Sequence, residues 1–239
     1  MRFLVKPILW VFTFHMATSG GIYAQENPVV IELFTSQGCP ACPPANDLLG
    51  ELSQRADVIA LALHVDYWDY IGWVDTFASP QFTRRQRGYS HAAGVPMVYT
   101  PQMIVDGQHH VMGNRPMEIA DLIMRHTAAN EPMLISVIRD DDNGAHRIEA
   151  EFVNTASRGQ RLDVHLVSYM PHDTVDVARG ENAGRLTNHY NVVRSWTVMA
   201  EWDGQTPFST DLTLENDLPH VVLFQSENHG PILGAVRVN

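Results

Sequence analysis

Apolar and polar positions follow two different rhythms along this chain, and the change of rhythm divides it. "NPVVIELF" (27–34) is a short β-branched run, the pattern of a buried strand. "ANDLLGELSQRA" (45–56) then sets Leu48, Leu49 and Leu52 at helical spacing, and "DVIALALHVDYW" (57–68) is a second buried strand. "ASPQFTRRQRGYSHAAG" (78–94) reads as a helix with an arginine-rich exposed face. "PQMIVDGQHHVMG" (101–113) is a hairpin turning on Asp106-Gly107. "RPMEIADLIMRHTA" (115–128) is a helix with Ile119, Leu122 and Ile123 on one face. Strands alternating with helices predict a sheet covered by helices on both faces.

After "NEPM" (130–133) the texture becomes β-rich. "MLISVIR", "HRIEAEFV", "RLDVHLVSY", "VVRSWTVM", "FSTDLTLE" and "HVVLFQSE" are short runs separated by turn residues. They predict a sandwich-like all-β unit. The expected organisation is an α/β domain over 25–130, with a central mixed sheet and flanking helices, followed by an all-β sandwich-like domain over 131–239.

The first 24 residues stand apart: basic "MRFLVK", apolar "PILWVFTFHMA", then small and turn-prone "TSGGIYA". This is the layout of a secretory signal peptide, cleaved after Ala24. Its apolar run is about half the ~20 residues a membrane span needs. The expected mature protein is exported, to the periplasm or beyond, with no membrane span. Loss of Arg2 and Lys6 takes the basic residues from 16 to 14 against 27 acidic ones, a net charge of −13. Such a surface excludes a nucleic-acid partner, which needs a basic face.

Export matters for "FTSQGCPACPPAN" (34–46), which holds both cysteines of the chain, Cys39 and Cys42. In an oxidising compartment a thiol pair can persist as a disulfide. A C-x-x-C between a strand and a helix reads as a thioredoxin-like redox motif. A cysteine at a helix start feels the macrodipole, which favours its thiolate, the nucleophile of exchange. Cys39 is then the attacking thiol and Cys42 the resolving one. Pro43 and Pro44 push the regular helix to begin at one of them, which weakens the dipole's effect on Cys39. Thr100-Pro101 stands at the head of the hairpin's first strand. "HVDYWDYIGW" (64–73) follows the second strand, where open α/β sheets place their sites. Asp66 and Trp68 are its candidate groove residues.

The segments "VIELFTSQGCPACPPAND", "LALHVDYWDYIGWVDTFASPQFTRRQRGY", "VYTPQMIVDG", "RGENAGRLTNHYNVVRSW" and "GPILGAVRV" resemble a secreted family of unknown function that carries a thioredoxin-like domain. The resemblance spans nearly the whole mature chain; the likeness to thioredoxin concerns the first domain. It implies a thioredoxin-like fold there and a redox role. It implies a cis bond at Thr100-Pro101 facing Cys39, with these two residues binding the substrate backbone. It also makes Glu32 a candidate proton relay to the second cysteine, against a paired structural carboxylate. The spacing from Glu32 to Cys39 is one residue longer than the thioredoxin pattern. The inner pair, Pro40-Ala41, departs from that pattern too.

The leading expectation is an exported thiol–disulfide oxidoreductase that exchanges with protein thiols or disulfides and with a redox partner protein, and needs no cofactor or metal. One alternative is a redox-inert binding module with a structural disulfide. Another is Cu(I) delivery, with His109, His110 or Met112 joining the thiolates. A zinc site wants four ligands, more than these thiols supply. "DDDNG" (140–144), with Glu151 twelfth from Asp140, lacks the glycine of a calcium loop and reads as a solvated turn. His64 reads as a core histidine.

Overall fold

A computed structural model of the protein describes residues 27–238 except 96, 130–132, 141–143 and 155–156. The signal-peptide segment and the expected boundary at Glu131 lie outside the described residues. Among the described residues, no helix is long and apolar enough to cross a membrane.

The chain forms a mixed α/β structure on one large sheet. β1 (Val29–Thr35) and β2 (Val58–His64) are parallel, in register from Val29↔Val58 to Thr35↔His64, and buried along their whole length. Burial on both faces is why they read as continuous apolar runs rather than alternating ones. β3 (Gln102–Val105) runs antiparallel beside β1, and β4 (His109–Met112) closes that edge through the turn at Asp106 and Gly107. Asp106 and Gly107 both have positive φ, 46° and 68°, the left-handed pair of a tight turn, and Gln108 completes the connection, since Val105 pairs with His109.

α1 (Pro43–Ser53) and α3 (Pro116–Ala129) cover one face, where Ile31 and Leu33 meet Ala45, Leu49, Ile119 and Ile123. α2 (Pro80–Ala92) covers the other, where Val30 and Phe34 meet Phe82 and Tyr89. The Ser79 side chain caps α2 by accepting from the Gln81 amide, with Pro80 at the first helical position.

The α2 face departs from the expected exposed arginine stripe. Arg84 and Arg87 are exposed, but Arg85 turns inward and grips Glu32 with two hydrogen bonds, Nε to Oε2 at 2.6 Å and Nη2 to Oε1 at 2.9 Å. Tyr89 donates to the same carboxylate at 2.5 Å, and Arg85 also bonds Gln225 and covers the Trp196 ring at 3.7 Å. Burial pushes the Tyr89 hydroxyl well above its ordinary value, so it stays a donor.

Among the described residues the β-rich half has seven strands: β5 (Met133–Arg139), β6 (His146–Phe152), β7 (Leu162–Val177), β8 (Arg185–Trp202), β9 (Phe208–Leu212), β10 (His220–Ser226) and β11 (Ile232–Val238). Four of them extend the first sheet, in the order β11-β10-β7-β8-β2-β1-β3-β4. The seam is parallel, with Ala62 opposite Val192, and Asn191 Nδ2 donates to the Ala60 carbonyl. The remaining three form a sheet ordered β5-β6-β9, which packs on the outer part of the large sheet through Ile148, Phe208, Val222 and Phe224. β10 is therefore sandwiched, with Val222 and Phe224 in one core and Val221 and Leu223 in another.

"RGENAGRLTNHYN" (179–191) is polar, yet from Arg185 onward it is strand. β7 and β8 continue into a long hairpin arm with the tip between Val177 and Arg185. The arm lies along α1. At Gly50 an added Cβ would stand 2.7 Å from the Tyr190 ring, so only glycine permits this approach. Asn191, at φ 46°, sits where the arm departs from the seam.

Two outcomes follow from this packing. Residues 27–129 alone should show no cooperative thermal transition by near-ultraviolet circular dichroism, because β2 loses β8 and the α2-side core loses Val167, Val193 and Trp196; a cooperative melt would refute the shared core. Arg85→Met should cost about 3–5 kcal/mol in urea unfolding by stranding Glu32, and Glu32→Leu with Arg85→Met should recover most of it. A single variant within about 1 kcal/mol of the parent would show the pair to be dispensable.

Candidate functional site

The turn after β1 is set by backbone bonds. The Cys39 amide donates to the Ser36 carbonyl and the Cys42 amide to the Cys39 carbonyl, both at 3.2 Å. This holds the two cysteines with Cα atoms 5.4 Å apart, and they form a disulfide. Cys42 is the N-cap of α1, and its carbonyl accepts from the Ala45 and Asn46 amides. The helix thus begins at Pro43, as the two prolines predict. These prolines carry no N–H, so the first two helical positions offer a thiolate the macrodipole but no amide donor. Both cysteines are fully buried, while Pro40 and Ala41 between them are exposed.

Thr100-Pro101 is a cis peptide. The Gly113 amide donates to the Pro101 carbonyl at 3.0 Å, and an added Cβ on Gly113 would meet Pro101 Cβ and Ala45 Cβ, each at 3.0 Å. The proline is thereby brought to the first turn of α1. Trp68 ties the other side: its indole N–H donates to Thr100 Oγ1 at 2.7 Å, and its Cβ packs on Gly38. Pro101 thus lies across Gly113 from Ala45, three residues after Cys42, and Trp68 reaches both Thr100 and the Gly38 that precedes Cys39.

Asp66 and Glu32 have other partners. The Asp66 carboxylate accepts from the Thr83 hydroxyl at 2.5 Å and so ties the loop to α2. Glu32 shares strand parity with Val30 and Phe34, so it lies on the α2 face, opposite the α1 face, bonded to Arg85 and Tyr89. Strand neighbours point to opposite faces, so Ile31 and Leu33 on either side of Glu32 face α1 instead. The paired structural carboxylate is the arrangement found.

Residues that pattern reading passed over organise the turn. Asp75 Oδ2 accepts from the Gln37 amide and faces His64 Nδ1, both at 2.7 Å. Burial pushes the Asp75 carboxyl up, but the His64 imidazole and the amides of Gln37 and Phe77 outweigh it and hold it below the usual range. Trp73 Nε1 donates to Gln37 Oε1 at 2.8 Å. From the arm tip, Asn182 Nδ2 donates to the carbonyls of Gln37 and Cys39, each at 2.9 Å. The buried rings of His64 and His189 and the half-buried ring of Phe77 form a cluster with centroids 5.0–5.5 Å apart. The aromatic run 64–73 gave a signal for the loop; nothing local singles out Asn182, a partner 143 residues from Cys39.

Among the described residues, no group of three or more histidine, cysteine or acidic side chains is placed to hold a metal. His109 pairs with His126 at 2.9 Å, and His110 faces Gln102 at 3.4 Å. Gly144 closes on the Asp140 carbonyl at 2.8 Å, as a turn does; residues 141–143 lie outside the described residues.

Together these features define a mixed α/β protein with a buried C-x-x-C disulfide at the head of a helix, beside a cis-proline hairpin. A family model described as "Protein of unknown function (DUF1223)" matches residues 30–225, and the chain belongs to that family. A crystal structure of a protein from Agrobacterium tumefaciens is similar, at 32% identity over 90% of this chain and 96% of that one, with a TM-score of 0.76. HBP35 of Porphyromonas gingivalis shares the fold at 15% identity, over 89% of this chain and 75% of that one, with a TM-score of 0.63. No curated protein matches the chain.

A pH dependence of stability follows. Burial pushes His189 down to about 3, helped by His64; burial, then Arg85 and His229, push His165 down to about 3. Both are neutral when folded and take protons when unfolded. Their contribution is complete above the unfolded value of about 6.5 and is lost as pH falls below it. The unfolding free energy from urea titrations should drop between pH 7 and 5, by up to about 1.4 kcal/mol per histidine per pH unit. His189→Asn should flatten the slope; an unchanged slope would exclude His189 as its source.

Proposed function

We propose that this protein is an exported thiol–disulfide oxidoreductase, with β1–β4 and α1–α3 as a thioredoxin-like unit and the β-rich half as its support. The observation that carries the reading is the approach of the cis Thr100-Pro101 pair to Ala45 in the first turn of α1 across Gly113, with Pro101 59 residues down the chain from Cys42 of the disulfide. A dithiol protein is the substrate class. Its thiolate attacks Cys39 Sγ, a mixed disulfide forms, and Cys42 Sγ leaves as a thiolate that takes a proton. The second substrate thiolate attacks its own mixed-disulfide sulfur and releases Cys39. The substrate is oxidised and the pair reduced; a redox partner protein with a disulfide restores it by the reverse steps.

The complete burial of both cysteines favours a second reading, a redox-inert binding module in which the bond is a staple. Cys42→Ser separates the two. Under the first reading its free Cys39 thiolate attacks a disulfide of the oxidised substrate or of the redox partner protein, one sulfur of that disulfide leaves as a thiolate, and the mixed disulfide persists until dithiothreitol resolves it. No trapped species, with a reduction potential below about −300 mV for the parent pair, would leave the staple.

A further inference from the structure

Exchange needs an incoming sulfur to reach Cys39 Sγ, yet both cysteines are fully buried and only Pro40 and Ala41 of the motif face solvent. Some element must move. α1 is anchored through Ala45, Leu49 and Leu52 in the core. The loop 66–76 is pinned by Thr83 to Asp66, Trp68 to Thr100 and His64 to Asp75. The arm tip differs. From Ala178 to Leu186 every residue is exposed except Asn182, which is 1% exposed. Asn182 bonds the two carbonyls that shape the cysteine turn, Gln37 and Cys39. Beside it Gly180, at φ 79°, rests on Trp73 and the Ile71 carbonyl, and Ile71 rests on Gly38. A segment with one buried anchor opens locally at far lower cost than the core.

We infer that Asn182 is a positioning residue for the disulfide, and that the β7–β8 tip is a latch whose release admits the attacking sulfur to Cys39. The inference rests on reading the pair as an exchange site. The partner class it admits is a thiol held on an extended segment that can displace the tip.

Reduction of the mature chain by tris(2-carboxyethyl)phosphine tests the latch without any biological partner. Phosphorus attacks one sulfur, water supplies the oxygen of the phosphine oxide, and both cysteines end as thiols. Asn182→Ala should be reduced about tenfold faster than the parent, since two hydrogen bonds close the latch. Arg185 Nη1 contacts Asn182 Oδ1 at 3.3 Å from an exposed position, so Arg185→Ala should fold and accelerate reduction about two- to threefold. Asn182→Asp should be fast at pH 7 and slow relative to Asn182→Ala as the pH falls through about 4–6, where a protonated carboxyl can again donate. A role in packing alone gives no such crossover. Rates equal to the parent in all three variants, or an Asn182→Asp variant that tracks Asn182→Ala at every pH, would overturn the latch. If Asn182→Ala does not fold, Arg185→Ala and the Asn182→Asp pH profile decide the matter. Accelerated reduction without trapping by Cys42→Ser supports the latch and removes the oxidoreductase; trapping with unaltered rates does the reverse.

Discussion

A strand buried on both faces still has two edges of backbone donors and acceptors, and both must be paired. β1 takes one edge of β2. The other is taken by β8, which arrives from the far half of the chain and sets Val192 opposite Ala62. The rest of the molecule follows from that seam. It draws β7, β10 and β11 into the same sheet and gives the α2-side core its wall of Val193, Trp196 and Leu223. It also fixes where the β7–β8 arm leaves the sheet. Asn191, in a left-handed conformation that asparagine tolerates, stands at that departure. Gly50 gives the arm room to lie on α1. The tip is thereby delivered to the turn that holds the cysteines.

The two faces of the sheet keep separate electrostatics. On the α2 side, Glu32, Arg85, Tyr89 and Gln225 form a closed set of hydrogen bonds from β1, α2 and β10. A buried pair of this kind gains little over an apolar replacement, and it is costly to halve. On the α1 side, Asp75 shares one oxygen between the Gln37 amide and His64, and Asn182 bridges the Gln37 and Cys39 carbonyls. The cysteine turn is thus held from both halves of the chain. The family match runs from residue 30 to 225 and so includes parts of both halves.

Much was legible from local pattern. The runs of β1 and β2, the faces of α1 and α3, the Asp106-Gly107 turn and the helix start at Pro43 all depend on periodicity or on proline and glycine conformation. These are properties of a few neighbouring residues. The C-x-x-C motif and the Thr100-Pro101 dipeptide belong to the same category. The cores of β5 to β10 were visible for the same reason, whereas β11 and the outer part of β8 were not.

What the sequence by itself determined is therefore which segments are strands and helices and which short motifs carry chemistry. Tertiary structure alone decided which edges pair and what faces what. Arg85 illustrates the point: its neighbours Arg84 and Arg87 look equivalent along the chain, yet Arg85 is the one whose helical phase meets Glu32. Asn182 illustrates it again. An asparagine in a polar stretch has no local mark, and its two hydrogen bonds exist only because a distant seam carries the hairpin to the cysteines. Pairing across long sequence separations follows from complementary edges and volumes, and a periodic pattern does not encode those.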